Sequence, residues 1–274
     1  MISKIQIKNI VALHQGKFRK ELKQFIVEGP KVVRELLDSS FSVDAIYATS
    51  AWNETDKEKA YSKKISVTEI SSEELKKISV LSTPNQVLAV AQMEVTMLDW
   101  GMMSRELTLM LDAIRDPGNL GTIIRIADWF GIGQIICSKD CVEMHNPKVI
   151  QAAMGSAFRV KVFYQDLNSF LEDIPDDIPV YGAFLEGTNL SEIDLQPRGI
   201  VVIGSESHGI SSVLQPYITE KLFIPSFLSG SLGSGLAESL NASVAASIIL
   251  YEFRRPETGN KLNNLDCSCK HPKN

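Results

Sequence analysis

Residues 112–125 combine an amide, an arginine and a turn with two glycines in a pattern that could hold a substrate. Asn119 follows an apolar segment and lies where a helix N-cap would be expected. Arg125 comes six residues later, about two turns along the predicted helix. Free N–H groups at a helix start bind phosphate, and a guanidinium can grip phosphate bidentately. The pattern also fits an ordinary strand-to-helix loop with a solvated arginine, so by itself it favours a substrate site only slightly.

A second segment, residues 200–209, is an apolar run that ends between two glycines. Gly204 and Gly209 lie five residues apart, with Glu206 and His208 between them. Glycines at the carboxyl end of a strand let a ligand approach the backbone closely. The segment lacks the Gly-Lys-Ser/Thr of a nucleoside-triphosphate loop, and it does not match the Gly-x-Gly-x-x-Gly dinucleotide fingerprint. We assign no role to His208, because a loop histidine is more often not a catalyst.

A third segment starts at Ile224-Pro225, passes through a Gly/Ser-rich stretch, and ends in a helix-like run over residues 238–253. Ser239 and Asn241 are polar residues at the start of that run, and they either cap the helix or face a ligand. Small residues dominate its first turns, which would let another backbone pack closely. The same run fits a buried core helix, so the segment allows both interpretations.

Taken together and in this order, the three segments resemble the motifs of the SpoU (TrmH-like) family of RNA ribose 2'-O-methyltransferases, part of the SPOUT superfamily. The resemblance covers about half of the chain, residues 107–255, and the matching residues are Asn119, Arg125, Gly204, Glu206, Gly209, Ile224, Pro225, Glu238, Ser239, Leu240 and Asn241. It implies S-adenosylmethionine as cofactor, a deep trefoil knot, and a homodimer with the active site near the subunit interface. The loop 226–237 is longer than the family pattern, which could alter how the cofactor is enclosed.

The resemblance also implies roles for the cofactor-binding residues. The backbones of Gly204, Ile224 and Leu240 would contact S-adenosylmethionine, and Gly209 would complete the glycine loop. The reaction would be an in-line displacement at the sulfonium methyl by a ribose 2'-oxygen. Holding the two reactants in line can supply about 7–11 kcal/mol of the barrier.

Five residues would form the catalytic set, namely Asn119, Arg125, Glu206, Ser239 and Asn241. In the family, the arginine matching Arg125 is proposed to activate the 2'-hydroxyl. Because a guanidinium has a pKa above about 12, we favour a milder role, in which Arg125 grips the adjacent phosphate and stabilises the developing alkoxide. Glu206 would orient Arg125 or accept a hydrogen bond from it, and the other three would position substrate or Arg125.

The composition is typical of a globular protein, with 44% hydrophobic and 22% charged residues among 274. A net charge of -5 gives no global sign of nucleic-acid binding, but the first 34 residues are rich in lysine and arginine. We predict RNA phosphate contacts for Lys17, Arg19, Lys20 and Lys23. A solvated helix face explains the same charges.

The elements that must position these residues form two α/β units. Residues 1–92 resemble, more loosely, the ribosomal-protein-like RNA-binding domain that precedes the catalytic domain in several family members; residues 93–105 are predicted to be a linker. Residues 106–256 alternate strands and helices, which predicts a mainly parallel sheet. Predicted strands are 107–111, 134–137, 159–163, 180–184, 199–203 and 221–224, and predicted helices 120–130, 147–154, 166–172, 211–216 and 238–253. Residues 257–274 are predicted to be disordered.

Several features that the sequence lacks exclude classes of protein. No secretory signal is visible, and the longest apolar stretch, 242–251, is too short to span a bilayer, so we expect no membrane partner. The four cysteines do not form a disulfide framework, and we expect reduced thiols in a cytoplasmic protein. Cys267 and Cys269, near His271, could bind a metal, but chance composition explains them better and we predict no metal.

Two other functions remain open from the sequence. A non-catalytic RNA-binding protein could use the same fold, although it would not need all five catalytic residues. A nucleotide-dependent dehydrogenase is disfavoured by the absent fingerprint. If the chain is a methyltransferase, its separate RNA-binding domain favours ribosomal over transfer RNA by analogy.

Overall fold

A computed structural model describes residues 2–52, 54–226 and 239–255, which form two sheets. The first sheet is mixed and has the strand order β1-β4-β2-β3, with β4 antiparallel to β1 and β2. Its elements are α1 (Lys4–Ala12), α2 (Gly16–Leu22), β1 (Gln24–Glu28), α3 (Pro30–Asp38), β2 (Val43–Ala48), α4 (Glu54–Ser62), β3 (Ser66–Glu69), α5 (Ser72–Ile78) and β4 (Val87–Gln92).

Local signals in the sequence explain the start of this unit. The apolar strand β1 ends at Gly29, whose positive φ of 89° turns the chain, and Pro30 then opens α3. Ser71 and Glu74 have the Ser-x-x-Glu spacing that predicts a capping box, and α5 has one, because Ser71 accepts from the Glu74 backbone and Glu74 accepts from the Ser71 backbone. These elements hold the basic amino-terminal segment against a defined core.

The second sheet is parallel throughout and has the order β7-β6-β5-β10-β8-β11-β9, which confirms the predicted parallel α/β architecture. Its elements are β5 (Leu107–Leu111), α6 (Pro117–Trp129), β6 (Gln134–Ser138), α7 (Pro147–Ala153), β7 (Lys161–Gln165), α8 (Leu167–Glu172), β8 (Val180–Phe184), β9 (Thr188–Asn189), β10 (Gly199–Ile203), β11 (Glu220–Phe223) and α9 (Ala242–Arg254). Strands β5, β6 and β10 are fully buried, as expected for a sheet covered on both faces.

Parallel strands bring the loops that follow them to one edge of the sheet. The strand order changes direction between β5 and β10, and ligands of open parallel sheets bind at such a switch. Strand β8 lies between β10 and β11, so Gly204, residues 185–187 and Ile224 follow three adjacent strand ends. This edge is where the motifs must meet.

Some predicted boundaries are wrong. Helix α6 is capped by Asp116 rather than Asn119, because the Asp116 side chain accepts from the Asn119 backbone at 2.8 Å. Residues 211–216 do not form the predicted helix but a turn that leads into the one-turn 3-10 helix Gln215–Tyr217. The predicted linker contains a short 3-10 helix, Trp100–Ser104. The short edge strand β9 was not predicted.

The two units contact each other through α7 and β1. The Phe25 ring lies 4.7 Å from the His145 ring, and the Gln151 amide donates to the Glu28 carbonyl at 2.8 Å. Arg159 donates to Asp128 of α6 and to Glu35 of α3, so one guanidinium ties both units together. The amino-terminal unit is therefore held on the second unit by both apolar and ionic contacts.

Other predictions concern residues outside those described. The connection from β11 to α9 runs through residues 227–238, so the predicted knot, and the effect of the long loop, stay predictions. The predicted tail with Cys267 and Cys269 also lies outside the described residues, as does Glu238. Among the helices within residues 2–52, 54–226 and 239–255, none is both long and apolar enough to cross a bilayer.

Candidate active site

The Glu206 carboxylate joins the three sequence motifs in one hydrogen-bond cluster, here called the Glu206 cluster. Its Oε1 accepts from the Asn119 side-chain amide at 2.6 Å and from the Ala242 backbone N–H at 3.1 Å. The Asn241 amide lies 3.4 Å from the same oxygen and donates to Asn119 Oδ1 at 2.9 Å. Segments that are 87 and 35 residues from Glu206 in the chain therefore meet at one side chain.

Asn241 caps α9, which confirms the first of the two roles that the sequence left open, and it also contacts the first motif; the ligand-facing role stays a prediction. Its Oδ1 accepts from the Ser243 backbone at 2.9 Å and from the Ser243 hydroxyl at 2.6 Å. Its amide nitrogen remains free to reach Asn119. The side chain thus fixes the start of α9 against the start of α6. Ser239 is exposed and lies two residues before this cap.

The loop 204–210 folds back on itself so tightly that its first residue has to be glycine. A Cβ on Gly204 would lie 2.1 Å from the Gly209 carbonyl carbon, far inside contact distance. The Gly209 N–H donates to the Ser205 carbonyl at 2.8 Å, and Gly209 has a positive φ of 65°. His208 is exposed on this loop. The glycine at position 204 is therefore required by the turn itself, because the Gly209 and Ile210 backbone fills the space of a side chain.

The glycine of the first motif serves packing rather than ligand approach. A Cβ on Gly121 would lie 2.5 Å from the Ala152 Cβ and 2.7 Å from the Val149 carbonyl oxygen. Helices α6 and α7 therefore touch at this point. The start of α6 does not suit the phosphate that the sequence predicted there, because the Asp116 carboxylate at this position would repel it.

A second layer of bonds fixes the entry to the first motif. Ala113 has a positive φ of 57°, and its N–H donates to the Ser138 hydroxyl at 2.9 Å. The Asp140 carboxylate accepts from Ser138 and from Arg115, and these two bonds lower the pKa of Asp140. Loop 138–142 thus holds the turn in which the first motif begins.

Arg125 lies on the exposed outer face of α6, together with Thr122 and Trp129. Six helical residues separate it from Asn119, which places it about 9 Å further along and about 120° around the axis. Among the described residues Arg125 has no ion pair or hydrogen-bond partner. The predicted contact between Glu206 and Arg125 is therefore absent from the single chain, because that carboxylate is engaged with Asn119, Asn241 and the start of α9.

Two of the residues predicted to bind the cofactor follow strands at the carboxyl edge, and the third precedes a helix. Gly204 follows β10, Ile224 follows β11, and Leu240 lies two residues before α9. Leu240 is 45% exposed and lies two residues before Ala242, which bonds to Glu206, and Ile224 is partly buried. A glycine cradle beside apolar residues fits the adenosine part of S-adenosylmethionine. Residues 185–187 follow β8, which lies between the two motif strands.

The predicted RNA-binding cluster divides in two. Lys17, Lys20 and Lys23 are exposed. Arg19 is only 3% exposed, and its guanidinium donates to the Leu13 and His14 carbonyls and to the Glu143 carboxylate. A guanidinium so committed cannot reach a phosphate, so the prediction for Arg19 is corrected to a structural role. Nothing in the local sequence distinguishes it from its neighbours, because Glu143 lies 124 residues away.

No group of three or more His, Cys, Asp or Glu side chains is arranged to hold a metal ion in the part of the chain that the structure describes. Cys137 and Cys141 are buried free thiols. A hydrogen bond from Cys137 is the largest of several effects that lower the pKa of Cys141 to about 7.

The sequence pattern of the SpoU rRNA Methylase family matches residues 106–251, more than half of the chain. The chain belongs to the SpoU rRNA Methylase family. A second pattern, that of the MRM3-like substrate binding domain, matches residues 4–89. The family's catalytic part thus covers the Glu206 cluster, and the substrate-binding part covers the exposed lysines.

Individual relatives share both parts. The 23S rRNA (guanosine(2553)-2'-O)-methyltransferase RlmP of Bacillus subtilis is 30% identical over 91% of this chain and 96% of its own length. The mitochondrial rRNA methyltransferase 3A of Danio rerio is 27% identical over 87% of this chain and 65% of its own length.

Solved structures are similar over nearly the whole chain. A TrmH-family protein from Porphyromonas gingivalis superposes with a TM-score of 0.77 at 35% identity, covering 93% of this chain and 99% of that one. The S-adenosylmethionine-bound rRNA methyltransferase from Sinorhizobium meliloti gives 0.79 at 27% identity, covering 93% and 97%. The two-part organisation is thus a shared one.

Proposed function

We propose that this chain is an S-adenosylmethionine-dependent methyltransferase that modifies a ribose 2'-hydroxyl in ribosomal RNA. The observation that carries the proposal is the Glu206 cluster, which brings three distant family motifs to one edge of a parallel sheet. The relatives support ribosomal RNA as the substrate class, since RlmP is named for 23S rRNA. Residues 1–92 would bind RNA, and residues 106–256 would carry the reaction.

The chain's own residues have to orient the reactants, since bound S-adenosylmethionine supplies a methyl group on a good leaving group. The backbones of Gly204, Ile224 and Leu240 would hold the cofactor at the sheet edge. Asn119, Glu206 and Asn241 are bonded to one another, so we assign them to fixing the site's walls rather than to proton transfer. The exposed Ser239 hydroxyl is available to the substrate.

Arg125 is the side chain free to act on the RNA. Its guanidinium would grip the phosphate beside the target ribose and stabilise negative charge that develops on the 2'-oxygen. This role requires Arg125 to reach the reacting 2'-oxygen, but within one chain Arg125 lies on the outer face of α6, away from the Glu206 cluster. We propose that a second copy of the chain resolves this, with Arg125 of one subunit completing the site of the other.

Two parallel helices form the surface proposed for this homodimer. Helices α6 and α9 are bonded at their starts through Asn119 and Asn241, and at their ends through Arg254, which donates to the Phe130 carbonyl at 3.1 Å. Their outer sides form an apolar face with Arg125 within it, and its exposed apolar members are Trp129, Val244, Ile248 and Tyr251. Trp129 is 85% exposed, which is unusual for a large aromatic without a partner. A symmetric dimer buries the same face on both subunits.

A mixed-dimer experiment tests this arrangement. Arg125→Ala and Asn119→Ala are expected to be inactive alone, but mixed dimers would contain one intact site if Arg125 acts across the interface. Equal mixing followed by subunit exchange should restore about a quarter of wild-type activity. Sedimentation of each variant controls for loss of dimerisation. No recovery in dimers shown to have exchanged would place Arg125 in its own subunit's site.

The central function is tested by methyl transfer. Purified protein, labelled S-adenosylmethionine and ribosomal RNA from cells lacking the gene should give label at one ribose 2'-position, which mapping of 2'-O-methylation identifies. Transfer RNA and fully modified ribosomal RNA are the controls. Binding of cofactor and RNA without transfer would favour the non-catalytic RNA-binding alternative.

We also propose a cytoplasmic location, which the two buried free thiols support.

A further inference from the structure

Asp112 is a buried carboxylate between the first and second motifs to which the proposed mechanism gives no role. It directly follows β5 and is only 5% exposed. Its backbone N–H donates to the Ile203 carbonyl at 2.9 Å, and its side-chain Oδ2 accepts from the Ser211 backbone N–H at 2.7 Å. Both partners belong to the segment that contains the glycine loop.

The two bonds enclose that loop from either end. Ile203 is the residue before Gly204, and Ser211 is the residue after Ile210. Within the loop, the Gly209 N–H bonds to the Ser205 carbonyl and narrows the turn. Asp112 therefore bonds to the residue before the loop and to the residue after it, and so connects both ends of the loop to the end of β5. The bond to Ile203 is made by the backbone, so the side chain contributes the bond to Ser211, which fixes the far end of the loop and with it the directions of the groups between.

We propose that Asp112 is a positioning residue for the cofactor site, which acts by holding the loop 204–210 in its binding shape. The inference rests on the proposed function, because it takes this loop to be part of the S-adenosylmethionine site. The carboxylate is suited to the task, since a hydrogen bond from a backbone N–H to a carboxylate is stronger than one to a neutral acceptor. It touches neither the RNA nor the reacting atoms.

The surroundings of Asp112 indicate that the protein still folds when this side chain is removed. A cavity of about 250 Å³ borders both Asp112 and Ser211, with Ser138, Asp140 and Gln165 among its other lining residues. Water can enter a polar cavity of this size and partly replace a missing carboxylate. Removing the side chain should therefore loosen the loop without unfolding the sheet.

The test compares cofactor binding by Asp112→Ala, Asp112→Asn and wild type, with S-adenosylhomocysteine as the probe in calorimetry. Gln165→Ala is the matched control, because it lines the same cavity without bonding to the loop. We expect the alanine variant to bind about tenfold more weakly. The asparagine variant should lie within about threefold of wild type, because its amide oxygen can still accept from Ser211. In turnover, the alanine variant should show a raised KM for the cofactor with kcat largely kept.

Hydrogen exchange gives a second readout, and its wild-type measurement does not depend on whether a variant folds. In the wild-type protein the Ser211 amide should exchange slowly, and in Asp112→Ala it should exchange faster while amides of β5 stay protected. Rapid exchange of Ser211 in the wild type would overturn the inference, as would equal S-adenosylhomocysteine affinity of wild type and Asp112→Ala. If the wild type itself fails to bind S-adenosylhomocysteine, the proposed function and this inference both fall.

Discussion

The contact between the two units and the outer face of α6 each contain an arginine that the sequence singled out, and the two arginines have opposite surroundings. Arg19 is buried, bidentate to Glu143, and bonded to two carbonyls. Arg125 is exposed and unpaired among the described residues. A guanidinium whose donors are all used within the chain stabilises the fold, whereas one with free donors is available to a partner. Partners in the structure, not residue type, separate the two roles.

The largest effect should come from the free arginine. Arg125→Ala is expected to lower kcat by about a thousandfold, near 4 kcal/mol, because charge on the 2'-oxygen loses its stabiliser. Affinity for S-adenosylhomocysteine should stay near the wild-type value. Single-turnover methyl transfer and calorimetry measure the two quantities.

Arg125→Lys sharpens this result, since a lysine keeps the charge but cannot bind phosphate bidentately. It should remain strongly impaired. Normal turnover in Arg125→Ala would remove Arg125 from the catalytic set.

The buried arginine should instead affect stability. Arg19→Ala should lower the free energy of unfolding by about 3 kcal/mol, because Glu143 and the Leu13 and His14 carbonyls lose their donor. Denaturant unfolding measures this, and Lys20→Ala is the exposed control, expected to change stability by less than about 0.5 kcal/mol. Similar stability of the two variants would contradict the structural role of Arg19.

His145, beside Arg19 in the same contact, predicts a pH dependence. Burial lowers the pKa of His145 to about 4, although nearby Glu143 acts in the opposite direction. In the unfolded chain His145 takes up a proton near pH 6.5. Between pH 6.5 and pH 4 the unfolded chain therefore binds more protons than the folded chain, so the free energy of unfolding falls as the pH drops. From pH 7 to pH 5 the loss should be about 2 kcal/mol.

The variant His145→Phe isolates this contribution, since it keeps a ring against Phe25 without a titrating group. The stability difference between wild type and variant should change over that pH range. A constant difference from pH 7 to pH 5 would show that His145 does not titrate as inferred.

The smallest effect per residue is expected from the exposed lysines beside Arg19. Replacing Lys17, Lys20 and Lys23 by alanine should weaken RNA binding and reduce the slope of log affinity against log salt by about 2 to 3. Unfolding should be nearly unchanged. Alanines at Lys76 and Lys77, two exposed lysines of α5, serve as the control, and an equal slope in both variants would remove the lysines from the RNA surface.

The motifs and most elements were predictable because they depend on neighbours in the chain. The apolar runs of β5, β8 and β10 place these strands within their predicted bounds, and the Ser71 capping box was evident from spacing alone. The amide at position 119 was correctly placed in the first motif but wrongly taken as the helix cap, since Asp116 competes for the same N–H group. Residues 211–216 show the same limit, because short segments have ambiguous periodicity.

Sequence alone determined the family motifs and a parallel sheet that positions them, and it supplied the candidate site residues. Only the tertiary structure decided what each one contacts. Glu206 could have faced Arg125, but the packing of α6 beside α9 places Asn119 and Asn241 against it instead. Arg19 and Asp112 acquired their roles from Glu143 and Ser211, each about a hundred residues away. Such pairings depend on how strands and helices are arranged in space, and local residue patterns contain no record of that arrangement.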